Sequence, residues 1–223
     1  MRSDTIYEQK KFWFKLKLSL GIVSIWWFVA LIKQFFDFPY RNFGLSPKNT
    51  DQLHGLITYP FIHGDFEHLS NNSLSGFIIF SALFLLYEKL SLKVLLMVYI
   101  FSGIILWFIG ETGSMHIGAS SIIYGIGFFL FFSGMIIRDS ANLALSLFMV
   151  VWYGSMVWGI TPFTVEDGIS WEGHLAGAIV GISLAFWFHR NDLIKEKVIN
   201  IDQDDMKDFH FFEKYPLAKS NIL

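Results

Sequence analysis

The chain has 223 residues, of which 53% are hydrophobic, 18% aromatic and only 16% charged, with a net charge of −2 and no cysteine. Soluble domains carry about 25% charged residues, so this composition excludes both a single water-facing globule and intrinsic disorder. The missing cysteines exclude a disulfide scaffold, a thiolate metal site and a cysteine nucleophile, and the near-neutral charge gives no sign of a nucleic-acid reader.

What remains is an all-α polytopic membrane protein. A helix crosses the hydrocarbon with about 20 mostly apolar residues, and the sequence predicts six such spans. The first covers residues 18–36. Its apolar stretch exceeds the core of a secretory signal of about 7–15 residues, and its bulky run Trp26, Trp27, Phe28 suits a retained helix. Residues 37–67 read as a long extracytoplasmic loop, dense in turn residues such as Pro39, Gly44, Pro47 and Pro60, with aromatics suited to the headgroup layer. Spans two to six follow at residues 69–87, 93–110, 119–137, 143–160 and 174–188. Residues 191–223 form a mixed-charge tail, read as a plain soluble extension despite Phe209, Phe211, Phe212 and Tyr215. The predicted organisation is therefore a six-span domain over residues 1–190 and a cytoplasmic tail over 191–223.

Lysine and arginine set the orientation. The segment before span one, Lys89 and Lys93 at the junction of spans two and three, Arg138 between spans four and five, and the residues after span six from Arg190 onward make up 14 of the 17 basic residues. Lys33, Arg41 and Lys48 remain near the other side. Both termini are thus predicted to be cytoplasmic, in keeping with an even number of spans.

Strongly polar groups within a membrane are expensive and raise a functional hypothesis. His68 and Asn72 open span two, Ser120 opens span four, and His174 opens span six. All three spans enter from the outer face, so these side chains share one depth. Helical spacing aligns His68, Asn72 and Gly76, aligns Ser120 with Tyr124, and puts His174 on one stripe with Gly177 and Gly181. A Gly-x-x-x-Gly pair admits a close neighbouring helix, with Gly125 and Gly127 of span four as the facing groove, so Ser120 is expected to meet His174. A serine hydroxyl needs an adjacent base, and neutral imidazole can take its proton at neutral pH. Donors for the resulting oxyanion are the Asn72 amide, His68 and the Ser120 backbone N–H. No acidic residue within the spans orients His174, and Glu172 lies at a loop edge, so the expectation is a serine–histidine dyad that needs no cofactor.

These residues resemble the rhomboid family of intramembrane serine proteases. The family pattern His-x4-His-x3-Asn stands here as His63, His68 and Asn72. Gly-x-Ser with a tyrosine four residues on stands as Gly118, Ser120 and Tyr124. His-x-x-Gly-x-x-x-Gly stands as His174, Gly177 and Gly181. The resemblance covers roughly residues 12–190 and implies a six-span rhomboid-like bundle. It also implies hydrolysis of a peptide bond in or near the transmembrane helix of a substrate protein, with Ser120 attacking and His174 as base and then acid. By the same resemblance Tyr124 packs on the His174 ring. Gly118 allows a tight backbone with its N–H toward the site, and His63 braces the first loop. Two departures stand out. Ser121 replaces the usual glycine after the nucleophile, and Ser120 is chosen over it because only Ser120 keeps the four-residue step to Tyr124. Leu53-His54-Gly55-Leu56 replaces the usual Trp-Arg stretch of the first loop.

Three rival readings have their own signatures. A metal site would use His63 and His68, but five residues on a helix turn through about 140°, so these two are expected to diverge. A transporter would relay protons through His68 and His174, but spans two to five lack charged residues at mid-depth. An inactive rhomboid-like scaffold would bind transmembrane clients without cutting them. His54, His116, His189 and His210 read as interfacial histidines. The expected partners are transmembrane substrates and the lipid bilayer, and the minimal six-span core points to a bacterial inner membrane.

Overall fold

The computed structural model describes residues 2–36, 39–138, 140–163 and 169–188. Their regular structure is helical, joined by irregular loops and one isolated bridge between Leu45 and His116. The first helix, α1 (Arg2–Phe35), starts sixteen residues before the predicted span. Its opening turns hold Glu8, Gln9, Lys10 and Lys11, which are good helix formers, so the helix continues past the apolar stretch. At 1.5 Å per residue it runs about 50 Å, well beyond a hydrocarbon core of about 30 Å. Lys11 and Lys15, one turn apart, both reach Glu88, in the short connection between the helices at residues 66–86 and 91–109, at 2.7 and 3.1 Å.

The long loop folds into short pieces: α2 (Gly55–Thr58), flanked by 3-10 turns at Tyr40–Phe43, Thr50–Gln52 and Tyr59–Phe61. Its backbone closes on itself at Gly55, where a side chain would strike the Gly44 carbonyl. Lys48 pins it to the end of the fourth helix, donating its ammonium to Gly110 O at 3.0 Å and its backbone N–H to Trp107 O at 3.2 Å.

Helices α3 (Phe66–Leu86), α4 (Ser91–Ile109) and α5 (Ser120–Ile137) follow within a few residues of prediction. With α1 they make four helices long and apolar enough to cross a membrane. The fifth predicted span divides into α6 (Ser140–Tyr153) and a 3-10 segment, Gly154–Ile160. Gly154 and Gly159 explain the change, since glycine weakens an α-helix interior by about 1 kcal/mol. The last helix is α7 (Trp171–Trp187). The six predicted spans thus correspond to four long helices, one broken segment and one helix of 17 residues.

The most extensive helix contact among the described residues is between α5 and α7. Glycine makes it possible. A side chain at Gly177 would strike Ser121 O, and one at Gly181 would strike Gly125 O. The two backbones therefore touch, with side chains such as Ile126, Phe129 and Leu130 filling the core around them.

Candidate active site

Each polar residue singled out above lies at or near the start of a helix, and a local device fixes that start. Asp65 caps α3, its carboxylate accepting from His68 N–H at 2.7 Å. Ser170 caps α7 in the same way, accepting from Gly173 N–H at 3.0 Å. Caps of this kind are worth about 1 kcal/mol. They set where His68 and His174, each within the first turns, leave their helices. The start of α5 is set differently. Gly118 takes φ +104°, a conformation that disfavours any side chain, and a Cβ there would strike the His68 ring and crowd Asn72 Nδ2. His68 and Asn72 thus converge on the loop two residues before Ser120.

Asn72 is buried, and its Nδ2 has no hydrogen-bond partner among the described residues. A buried unspent donor is costly unless something else uses it. The Gly118 N–H is not available in the same way. It donates to Tyr59 O at 3.0 Å, which corrects the expectation that it faces the site.

Ser120 is half-buried, and its hydroxyl makes no hydrogen bond among the described residues. Ser121 is different. It is buried, and its Oγ lies 2.8 Å from the Tyr59 hydroxyl, which also reaches Ser102 Oγ at 3.3 Å. Burial pushes the Tyr59 phenol above its ordinary pKa, with the two serine hydrogen bonds opposing. The residue that replaces the usual glycine is thus occupied in a hydroxyl cluster.

The His174 ring is held on two sides. Tyr124, one turn below Ser120, stacks on it with centroids 3.9 Å apart and planes 8° apart. Its Nδ1 lies 2.9 Å from the carbonyl oxygen of Gly159, in the 3-10 segment after α6. A carbonyl only accepts, so Nδ1 carries the hydrogen and Nε2 keeps its lone pair. Among the described residues Nε2 has no partner. Gly159 is small by necessity: a Cβ there would collide with the Tyr124 hydroxyl and lie 3.3 Å from His174 Nδ1. Sequence reasoning missed Gly159. Its one visible signal was a second glycine, five residues after Gly154, near the end of the span.

His63 and His68 do not diverge. His63 precedes α3 rather than riding on it, so helical angles do not apply, and the two rings meet at 5.1 Å. His63 also packs on Trp26 at 5.6 Å, and Lys33 donates to the carbonyls of His63 and Gly64. Burial holds the His63 imidazole at a pKa of about 3, so it is neutral at physiological pH. Gly177 and Gly181 lie at the α5 contact. His54 is exposed and bonded to Asn42 O at 2.8 Å, whereas His116 is buried with both ring nitrogens engaged, against its interfacial reading. His189, His210 and the tail aromatics lie outside the described residues. Those residues hold no group of three histidines and carboxylates that would suit a metal ion.

Comparison with known proteins adds a family to this geometry. The Rhomboid domain matches residues 50–191. The chain is also similar to uncharacterized proteins of Mycobacterium tuberculosis and Mycobacterium bovis, 30% identical over 173 residues that cover 75% of this chain and 72% of each relative. An uncharacterized protein of Mycobacterium leprae is 31% identical over 173 residues, covering 75% of this chain and 68% of its own length.

Proposed function

Since this chain belongs to the rhomboid family, and its apolar helices make it a membrane protein, we propose that it is an intramembrane serine endopeptidase. The observation that carries this function is the state of His174. The ring is clamped between Tyr124 and the Gly159 carbonyl, in the tautomer that leaves Nε2 free to accept a proton. At the start of α5, the helix in backbone contact with α7, Ser120 has a hydroxyl that bonds nothing else among the described residues.

In this mechanism Ser120 Oγ attacks the scissile carbonyl carbon and its proton passes to His174 Nε2. The negative oxygen of the tetrahedral intermediate is met by the Ser120 N–H, Asn72 Nδ2 and His68. Each such donor is typically worth about 10²–10³ in rate. His174 then gives its proton to the leaving amine, and the C–N bond breaks. Water, deprotonated by the same nitrogen, hydrolyses the acyl ester and frees Ser120. The Gly159 carbonyl takes the orienting place that a carboxylate fills in a triad. It supplies direction without a full charge.

We take the protein to cross a bacterial inner membrane six times, with both termini in the cytoplasm, a membrane domain over residues 1–190 and a tail over 191–223. For the two crossings beyond the four long helices, α6 with its 3-10 extension reaches about 35 Å, and the 17 residues of α7 meet the lower end of the roughly 17–25 that a span takes. Its substrates are transmembrane proteins met within the bilayer. Purified chain in liposomes is expected to cut a transmembrane reporter near the face opposite its termini. Ion flux without cleavage would favour a transporter, and reporter binding without cleavage a scaffold.

A further inference from the structure

The loop between α4 and α5 carries a buried histidine that this chemistry does not use. His116 is 6% exposed. Its backbone exchanges two hydrogen bonds with Leu45 of the long loop, at 2.8 and 2.9 Å. Its ring makes two more, Nε2 with Ser114 Oγ at 2.8 Å and Nδ1 with Ser170 Oγ at 2.7 Å. The direction of every proton follows from the ends of this chain. Ser114 donates its hydroxyl hydrogen to Glu111 O at 2.6 Å, so toward the ring it must accept, and Nε2 carries the hydrogen. Nδ1 is then an acceptor, and Ser170 donates to it. Ser170 Oγ in turn accepts from Gly173 N–H at 3.0 Å, and the Ser170 carbonyl accepts from His174 N–H at 3.2 Å. Burial lowers the His116 pKa, opposed by Glu172, in keeping with the neutral ring this pattern requires.

One side chain thus ties the loop that delivers Ser120 to the cap of the helix that delivers His174. His116 precedes Ser120 by four residues, and Ser170 precedes His174 by four. We propose that His116 is a positioning residue that, through Ser170, sets the distance between Ser120 and His174. This rests on the proteolytic function argued above. A misplacement of about 1 Å in such a pair can cost about 100-fold in rate.

The test uses the full chain in liposomes, with reporter cleavage, the rate of fluorophosphonate labelling and thermal unfolding measured together. His116→Ala is expected to lower kcat by about 10–100-fold with KM essentially unchanged, and to slow labelling in parallel. Ser170→Ala removes the same link and the α7 cap besides, so it should lower kcat at least as much, and the double variant should be no worse than Ser170→Ala alone. His116→Asn is expected to recover most of kcat, since its Oδ1 can accept the Ser170 hydroxyl where Nδ1 did. Normal kcat in His116→Ala, losses that multiply in the double variant, or an asparagine no better than alanine would each overturn the proposal. If His116→Ala does not fold, Ser170→Ala and His116→Asn decide alone. Failure of the proteolytic function itself would be visible in the unmodified chain, whereas failure of this link appears only in the variants.

Discussion

Ser120→Ala and His174→Ala are each expected to abolish cleavage of a transmembrane reporter, with a loss of about 10⁴-fold or more. Folding should survive the first change almost untouched. The Ser120 hydroxyl is half-buried and bonds nothing among the described residues, so its removal leaves no partner stranded. His174→Ala gives up the Tyr124 stack, worth about 0.5–1.5 kcal/mol, and the bond to Gly159, so a modest fall in unfolding temperature accompanies the loss of activity. Ser121→Ala is the control. It breaks the 2.8 Å bond to Tyr59 and is expected to cost about 0.5–1.5 kcal/mol of stability while cleavage continues. Cleavage rates and thermal unfolding of the three variants check this together. Activity retained in Ser120→Ala and lost in Ser121→Ala would move the nucleophile by one position.

Gly159→Ala is expected to lower kcat by about 100-fold, the usual effect of displacing a reacting group by about 1 Å. Glycine is present at 159 for space rather than for backbone freedom. A methyl group there would sit inside the Tyr124 hydroxyl and against His174 Nδ1. Something must move, and whichever ring yields, the stack and the carbonyl bond that fix the His174 tautomer are disturbed. Tyr124→Phe keeps the stacked ring, loses only a hydroxyl, and is expected to stay close to normal. Combined with Gly159→Ala it removes the worst collision, so the double variant should regain much of the lost rate. The alanine change would then be less harmful in the company of a second substitution than alone. Steady-state kinetics of the two singles and the double check this, and equal losses with and without the Tyr124 hydroxyl would contradict it.

The parts of this site that were legible in the sequence are those with side-chain signals at fixed spacing. Tyr124 sits one turn from Ser120 and stacks on His174, and the glycines after His174 do bring α7 against α5. The parts that were hidden are those carried by backbone or set by long-range folding. The Gly159 carbonyl has no signature, because every residue has a carbonyl and only the path of the 3-10 segment aims this one at His174. The Gly118 N–H looked available because nothing in the sequence says that Tyr59, almost sixty residues earlier, supplies an acceptor for it. His63 and His68 were judged by helical angles that hold only within a helix, and His63 lies just outside one. His116 looked interfacial because its partners, Leu45 and Ser170, come from distant loops. The early start of α1 reflects a different limit: hydropathy marks where a helix is apolar, not where it begins.

All of this chemistry requires that one particular hydroxyl be made nucleophilic by one particular ring. Exposure of the full-length chain in membranes to a fluorophosphonate, followed by mass-spectrometric mapping of the modified peptide, tests that requirement most directly. A single adduct on Ser120, lost in His174→Ala and retained in Ser121→Ala, is the predicted result. An adduct on another residue, or labelling of Ser120 that persists at full rate without the His174 ring, would contradict it.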